Sequence, residues 1–240
     1  RLVKFIEEDN FPEIIEKTPG VRSLQIRFST RRWDAISLAK ALEPLLLKAV
    51  EVKDAKVASR IVRMPLSWRD PCCQQAEERY MSIVNPNAPW CPDNLEFIRR
   101  INGLKTTAEV KEIVFNASYL VMGLGDVYLG APVATPMDPT HRLVTTKYNP
   151  ARTWTAQNSV GIGGAYMCVY GMEGPGGYQL VGRTMPVWRD KGFNSNDDLC
   201  WLLRHFDQIQ FYEVEQAELF ELRKQTLSGE FEPEVVETTF

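Results

Sequence analysis

The sequence predicts an α+β protein in which a small split βαβ unit lacking its first strand precedes an antiparallel barrel or sandwich. Three observations predict it. The chain as far as Leu66 runs in the order helix, strand, strand, helix, strand, the order of a split βαβ layer once its first strand is removed. From Ala131 to Trp188, short β-branched and aromatic runs alternate with Gly and Pro turns. Glycines cluster at Gly123, Gly125 and Gly130, at Gly161, Gly163 and Gly164, and at Gly171, Gly174, Gly176 and Gly177. Such clusters suit the tight turns and bulges of a curved sheet. The expected division is 1–58 and 59–240, the second part carrying inserted helices.

Leu2, Val3, Phe5 and Ile6 ahead of three acids read as the last turns of an amphipathic helix. Glu13 to Lys17 and Val21 to Phe28 read as strands joined at Thr18, Pro19 and Gly20. Asp34 is placed to cap a helix carrying Ile36, Leu38, Leu42, Leu45, Leu46 and Ala49 inward, with Pro44 expected to kink or divide it. Val57 to Leu66 returns to strand. Trp68 to Asn94, with four prolines, reads as an irregular but ordered excursion packed on the second domain. Asp93 and Glu96 have capping-box spacing, Gly103 suits a helix end, and Thr106 with Glu109 repeats the signal. Ala117 to Met122 is expected as a strand, and a short helical turn is expected around Leu199 to Leu203. A strand at Gln208 to Val214, a helix at Glu215 to Thr226 and an extended tail at Phe231 to Thr239 complete the reading.

Composition narrows the function. A net charge of -3 gives no basic field, so nucleic acid is not expected as a partner. The five cysteines contain no C-x-x-C pair, which suggests neither a zinc site nor a disulfide framework and fits reduced, cytoplasmic thiols. With two histidines, a histidine-rich metal centre is not expected, and no apolar run reaches the length of a membrane span. The chain begins at Arg1 rather than Met and is expected to be a piece of something longer. Gly123 and Gly125 imitate a dinucleotide fingerprint, but its sixth position is Tyr128, no helix follows, and no P-loop is present.

Six polar residues stand where strand ends meet loops: Asp126, Lys147, Arg152, Glu173, Gln179 and Arg183. Asp126 is either a turn aspartate bonding its own backbone or a carboxylate accepting N–H bonds from a small amide or guanidinium. Lys147, Arg152 and Arg183 are either separate solvated charges or three cations converging on one anion. Tyr128, Tyr166, Tyr170, Tyr178 and Trp154 are expected in the core before they are expected in a site.

The stretch GLGDVYLGAPVATPMDPTHRLVTTKYNPARTWTAQNSVGIGGAYMCVYGMEGPGGYQLVGRT resembles the carboxyltransferase region of urea carboxylases, including bacterial enzymes that prefer guanidine. NAPWCPDNLEFIRRINGL and VVETTF resemble that family too. More distantly the chain is similar to allophanate hydrolase subunit 1, to a 5-oxoprolinase subunit and to a bacterial histidine-kinase inhibitor, through S-V-G-I-x-G and P-G-G-x-Q-x-x-G-R-T. The resemblance implies an incomplete ferredoxin-like subdomain and then a cyclophilin-like β-barrel. It also implies transfer of a carboxyl group from carboxybiotin to a nitrogen of urea or guanidine. The biotin would arrive on a carrier domain, and ATP and Mg²⁺ would be used by a biotin carboxylase domain, neither of them in this chain. The other half of the carboxyltransferase, similar to allophanate hydrolase subunit 2, would be a further partner.

In that frame Asp126 is the candidate contact for urea or guanidine, because the distant relatives have a Gly-Phe-Pro-Tyr-Leu type segment where this chain has Gly125 to Leu129. Lys147, Arg152 or Arg183 would stabilise developing carboxylate and oxyanion charge. Tyr128, Gln179 and Glu173 would bind or orient the substrate. The distant relatives suggest the other reading, a regulatory or structural subunit without chemistry of its own. An open edge on the small sheet and an apolar patch on the barrel are further expectations.

Overall fold

The computed structural model describes residues 1–20, 23–53, 56–125, 131–190, 192–193 and 200–240. The chain forms two compact units, Arg1–Ala58 with Thr239–Phe240, and Ser59–Thr238.

The first unit is built from α1 (Leu2–Asp9), β1 (Ile14–Pro19), β2 (Leu24–Phe28) and α2 (Ala35–Glu51). The two strands pair antiparallel with each other. Asp34 caps α2 by accepting the Ser37 N–H at 2.7 Å, satisfying a donor that the first turn leaves open. Leu38, Leu42, Leu45 and Ala49 are buried, and the three leucines form a small core with Ile6. Ile36 and Leu46, expected inward, are 69% and 50% exposed. Each stands one or two residues off that stripe, about 100° per residue around the helix, and so faces outward. Pro44 does not divide α2, which continues through it to Glu51.

The second unit begins with β3 (Ala58–Trp68), α3 (Pro71–Ile83), α4 (Asn94–Ile101) and α5 (Thr107–Asn116). There follow β4 (Tyr119–Leu124), β5 (Pro132–Pro136), a 3-10 turn at Pro139–His141, β6 (Arg152–Thr155), β7 (Ser159–Gly163) and β8 (Tyr166–Val169). The chain then forms β9 (Gly174–Gly176), β10 (Gln179–Thr184), β11 (Gln208–Glu213), α6 (Gln216–Ser228) and β12 (Glu234–Thr239). Seven strands close a barrel in the order β10, β7, β8, β5, β4, β11, β3, with β3 returning to β10 and β12 lying beside β3. An odd ring cannot alternate direction throughout. The single parallel neighbour pair it requires is β3 with β11, while the other barrel pairs are antiparallel.

The seam shows why glycine is needed in the closing strand. Gly182 faces Trp68 across the β10–β3 pair, and a Cβ on it would stand 2.4 Å from the Ser67 carbonyl oxygen. The barrel interior is filled by residues such as Val62, Met64, Val121, Val160, Val181 and Ile209, and α4 and α5 add Ile98, Val110 and Val114 to the same core.

Two sequence expectations change here. Pro71 to Ile83 is a helix rather than irregular chain. Its start carries a helix signal, Asp70 accepting the Cys72 N–H with Pro71 in the first turn. Its buried face, Cys73, Ala76, Glu77 and Tyr80, has helical spacing but contains a glutamate, which hides the apolar period. The second change is at residues 200–203, which are not helical; Trp201 instead forms a β-bridge with Trp188. The caps of α4 and α5 are as expected, with Asp93 accepting from Leu95 and Glu96 and Thr106 accepting from Glu109.

Candidate functional site

At one end of β10 lies a cavity of about 310 Å³ lined by Ala131, Lys147, Tyr148, Cys168, Tyr170 and Tyr178 together with Pro175, Gly176 and Gly177 at the end of β9. Glycine makes room for its aromatic wall: a Cβ on Gly163 would meet the Tyr178 ring at 2.4 Å, and one on Gly176 the Tyr170 hydroxyl at 2.6 Å. The Lys147 ammonium stands 4.7 Å from the centre of the Tyr178 ring. Its backbone is fixed from below, where Gln179 Nε2 donates to the Thr146 carbonyl at 2.9 Å and the Tyr148 N–H donates to the Gly177 carbonyl.

Arg152 lies behind this wall, 1% exposed. Its guanidinium stacks on the Tyr148 ring at 4.4 Å and donates through Nη1 to the Tyr178 carbonyl at 2.6 Å and through Nε to Thr155 Oγ1 at 3.3 Å. Nη2 is buried and finds no hydrogen-bond partner among the described residues, and the same is true of Gln179 Oε1. A buried guanidinium without a carboxylate partner is costly, because charge leaves water uncompensated.

Glu77, whose charge Arg152 senses, does not compensate it. Burial, and then the Asp93 carboxylate, push the Glu77 carboxyl up to about 8, against the opposing pull of the Asn94 N–H and Arg152. At neutral pH this acid is mostly protonated. Asn94, fully buried, ties the group together: it donates to the Tyr148 hydroxyl at 2.6 Å and accepts the Leu180 N–H at 2.8 Å, while its own N–H reaches Glu77 at 3.3 Å.

The Glu77 shift has a measurable consequence. Between pH about 4.5 and about 8 the unfolded chain has released this proton and the folded chain retains it. The folded state therefore binds more protons, and stability falls as pH rises through that window. Glu77→Gln removes this contribution, so melting temperature relative to the wild type is expected to improve steadily from pH 5 to pH 8.5. A difference that does not vary with pH would mean that Glu77 ionises normally in the fold.

The other expected site residues separate. Arg183 is absent from this cavity: it lies five residues beyond Tyr178, roughly 16 Å along a strand at about 3.3 Å per residue, and donates to the Gln157 carbonyl and Cys72 Sγ. Three cations therefore do not converge: Lys147 lines the cavity, Arg152 lies behind its wall and Arg183 is elsewhere. Glu173 is exposed and accepts a hydrogen bond from Trp154 Nε1 rather than facing the cavity. Gln179 is fully buried beneath the wall. Asp126 and Tyr128 lie outside the described residues. The residues flanking that segment are joined by the Gly125 N–H to Ala131 carbonyl bond of 3.0 Å, and Ala131 lines the cavity. Sequence reasoning missed Glu77, Asn94 and Tyr148, whose roles arise from burial together rather than from any spacing.

Among the described residues no group of three or more His, Cys, Asp or Glu is arranged to hold a metal, and no helix is long and apolar enough to cross a membrane.

The chain is thus an α+β protein whose closed seven-strand barrel carries a tyrosine-walled cavity with the Lys147 ammonium in its lining. The family described as the carboxyltransferase domain, subdomain C and D, matches residues 1–196, and the chain belongs to that family. Urea amidolyase of Saccharomyces cerevisiae is 36% identical over 239 residues, covering 100% of this chain and 13% of its own length. The crystal structure of Kluyveromyces lactis urea carboxylase superposes with a TM-score of 0.90 at 40% identity, over 100% of this chain and 21% of that one. A 5-oxoprolinase subunit of Bacillus subtilis is 27% identical over 215 residues, covering 89% of this chain and 81% of its own. The chain thus spans a small part of the yeast proteins it matches.

Proposed function

We propose that this chain is one half of the carboxyltransferase domain of a biotin-dependent urea or guanidine carboxylase, acting in the cytoplasm. The observation that carries the reading is the Lys147–Arg152 pair at the tyrosine-walled cavity in a member of the carboxyltransferase family. The residues present fit a ureido ring and a small amide. The wall offers flat tyrosine faces, glycine clears the space before them, and behind it a buried Nη2 and Oε1 stand without a partner among the described residues. When bound, carboxybiotin supplies the activated carboxyl group.

The chain's own residues do the rest. Lys147 places a positive charge where the transferred carboxylate forms. Arg152 adds a fixed charge from behind the wall and holds Tyr148 and Tyr178 in place. Gln179 positions Thr146 and so the Lys147 backbone. Asp126 is assigned the N–H groups of urea or guanidine, with Tyr128 orienting them; these two roles rest on chemistry and resemblance. The second half of the domain, a biotin carrier and an ATP- and Mg²⁺-using biotin carboxylase are the partners, and positioning both reactants requires them.

The test is carboxyl transfer to urea and to guanidine, measured in the full-length protein that carries this segment. Wild type is expected to turn over at least one of the two. Asp126→Asn is expected to raise KM for that substrate by about tenfold or more, since a hydrogen bond to a charged group contributes about 1.5–3 kcal/mol. Wild-type protein that carboxylates neither substrate would sink the reading. It would favour the alternative reading of a regulatory or structural subunit without chemistry of its own.

A further inference from the structure

A second cavity, of about 230 Å³, opens at the other end of β10 and is lined by Asp70, Arg183, Arg223 and the first turns of α6, including Gln216, Ala217 and Phe220. Two arginines face it, and neither lies within ion-pair distance of a carboxylate among the described residues. Arg223 spends both Nη1 protons on Asn158 Oδ1 and the Thr184 carbonyl, each at 2.7 Å. That leaves its Nε–H and its two Nη2 protons, out of the five donors of a guanidinium. Arg183 uses Nε on the Gln157 carbonyl and one Nη1 proton on Cys72 Sγ, which again leaves three. The bonds already made fix both guanidinium planes, so the remaining donors are held in place rather than swinging in solvent.

The charges are out of balance. Asp70 is the one carboxylate that the described residues give the lining, and its Oδ1 is committed to the Cys72 N–H at the start of α3. Burial, and then repulsion from Arg183, lower the Arg223 pKa to about 10, so the fold holds these two cations together at a cost. At the edge, α6 begins at Gln216 with no side chain capping its first turn, so backbone N–H groups there add to the donors. The volume is below the roughly 300–1,000 Å³ of sites for drug-sized ligands and suits a compact ion.

We propose that this cavity binds a small oxyanion, a phosphate or carboxylate, between Arg183 and Arg223. The anion accepts the spare N–H groups of both guanidinium planes, the arrangement for which arginine is better suited than lysine. The site is independent of the tyrosine-walled cavity and of the function proposed for it.

Calorimetric titration of the protein with inorganic phosphate and, separately, with acetate, at ionic strength matched with chloride, tests this. Saturable binding of at least one anion is expected, and the stronger of the two identifies the source. Arg183→Gln, which leaves the Arg223 contacts to Asn158 and Thr184 intact, is expected to weaken that binding tenfold or more; Arg223→Lys is expected to do the same. Lys147→Ala is expected to leave it unchanged. Absence of saturable binding of either anion by wild type would overturn the proposal. So would unaltered binding in a folded Arg183→Gln, or loss of binding in Lys147→Ala, which would place the anion in the other cavity.

Discussion

Arg152→Met is expected to lower carboxyl transfer by about 100-fold or more while changing folding stability by no more than about 2 kcal/mol. The first figure follows from removing a preorganised charge held behind the wall of the proposed transfer site, set at the loss of about 10²–10³ in rate that follows removal of one preorganised donor. The second follows from opposing terms. Losing the Tyr178 carbonyl contact and the stacking on Tyr148 costs about 1–3 kcal/mol for the hydrogen bond and about 2 for the cation over a desolvated ring. Removing a buried, unpaired guanidinium returns several kcal/mol of desolvation. Methionine keeps much of the volume. Denaturant midpoints and single-turnover transfer rates measured together would check this. A variant strongly destabilised but normal in transfer, once corrected for folded fraction, would make Arg152 structural instead.

Asp207→Ala is expected to destabilise the barrel by about 3–5 kcal/mol, the largest stability effect anticipated for a single substitution in this chain. Arg60 and Asp207 are nearly inaccessible and meet in a forked pair, Nε to Oδ1 at 3.0 Å and Nη2 to Oδ2 at 2.5 Å. Arg60 also donates to the Leu202 carbonyl, and Asp207 accepts the Arg204 N–H, so the pair ties β3 to the turn entering β11. Truncating the acid strands a buried cation, whereas the double change Arg60→Met with Asp207→Leu is expected to recover most of the loss. Urea denaturation of the two single variants and the double gives the coupling directly. Equal, additive losses in the cycle would show that the two side chains act separately.

The structure also separates residues that look alike in the sequence. Lys147, Arg152 and Arg183 all read as basic residues where strand ends meet loops, yet the first faces a cavity, the second lies behind its wall and the third serves the opposite end of β10. Strand direction and barrel register decide which end each occupies, and neither is written in local spacing. Helix α3 was hidden for a related reason. Its inward stripe includes Glu77, and an acid breaks an apolar period until burial has neutralised it.

By itself the sequence determined the α+β class, the helix starts at Asp34, Asp93 and Thr106, and the strands between glycine turns. Capping bonds span two or three residues and alternation spans a few more, so these features depend on little beyond the neighbouring chain. Only the tertiary structure decided that seven strands close with one parallel pair, that Asn94 links Glu77 to Tyr148, and that the cations divide between two cavities. Those outcomes depend on which distant residues share a low-dielectric interior, where charge, protonation and hydrogen-bond partners are settled jointly rather than residue by residue.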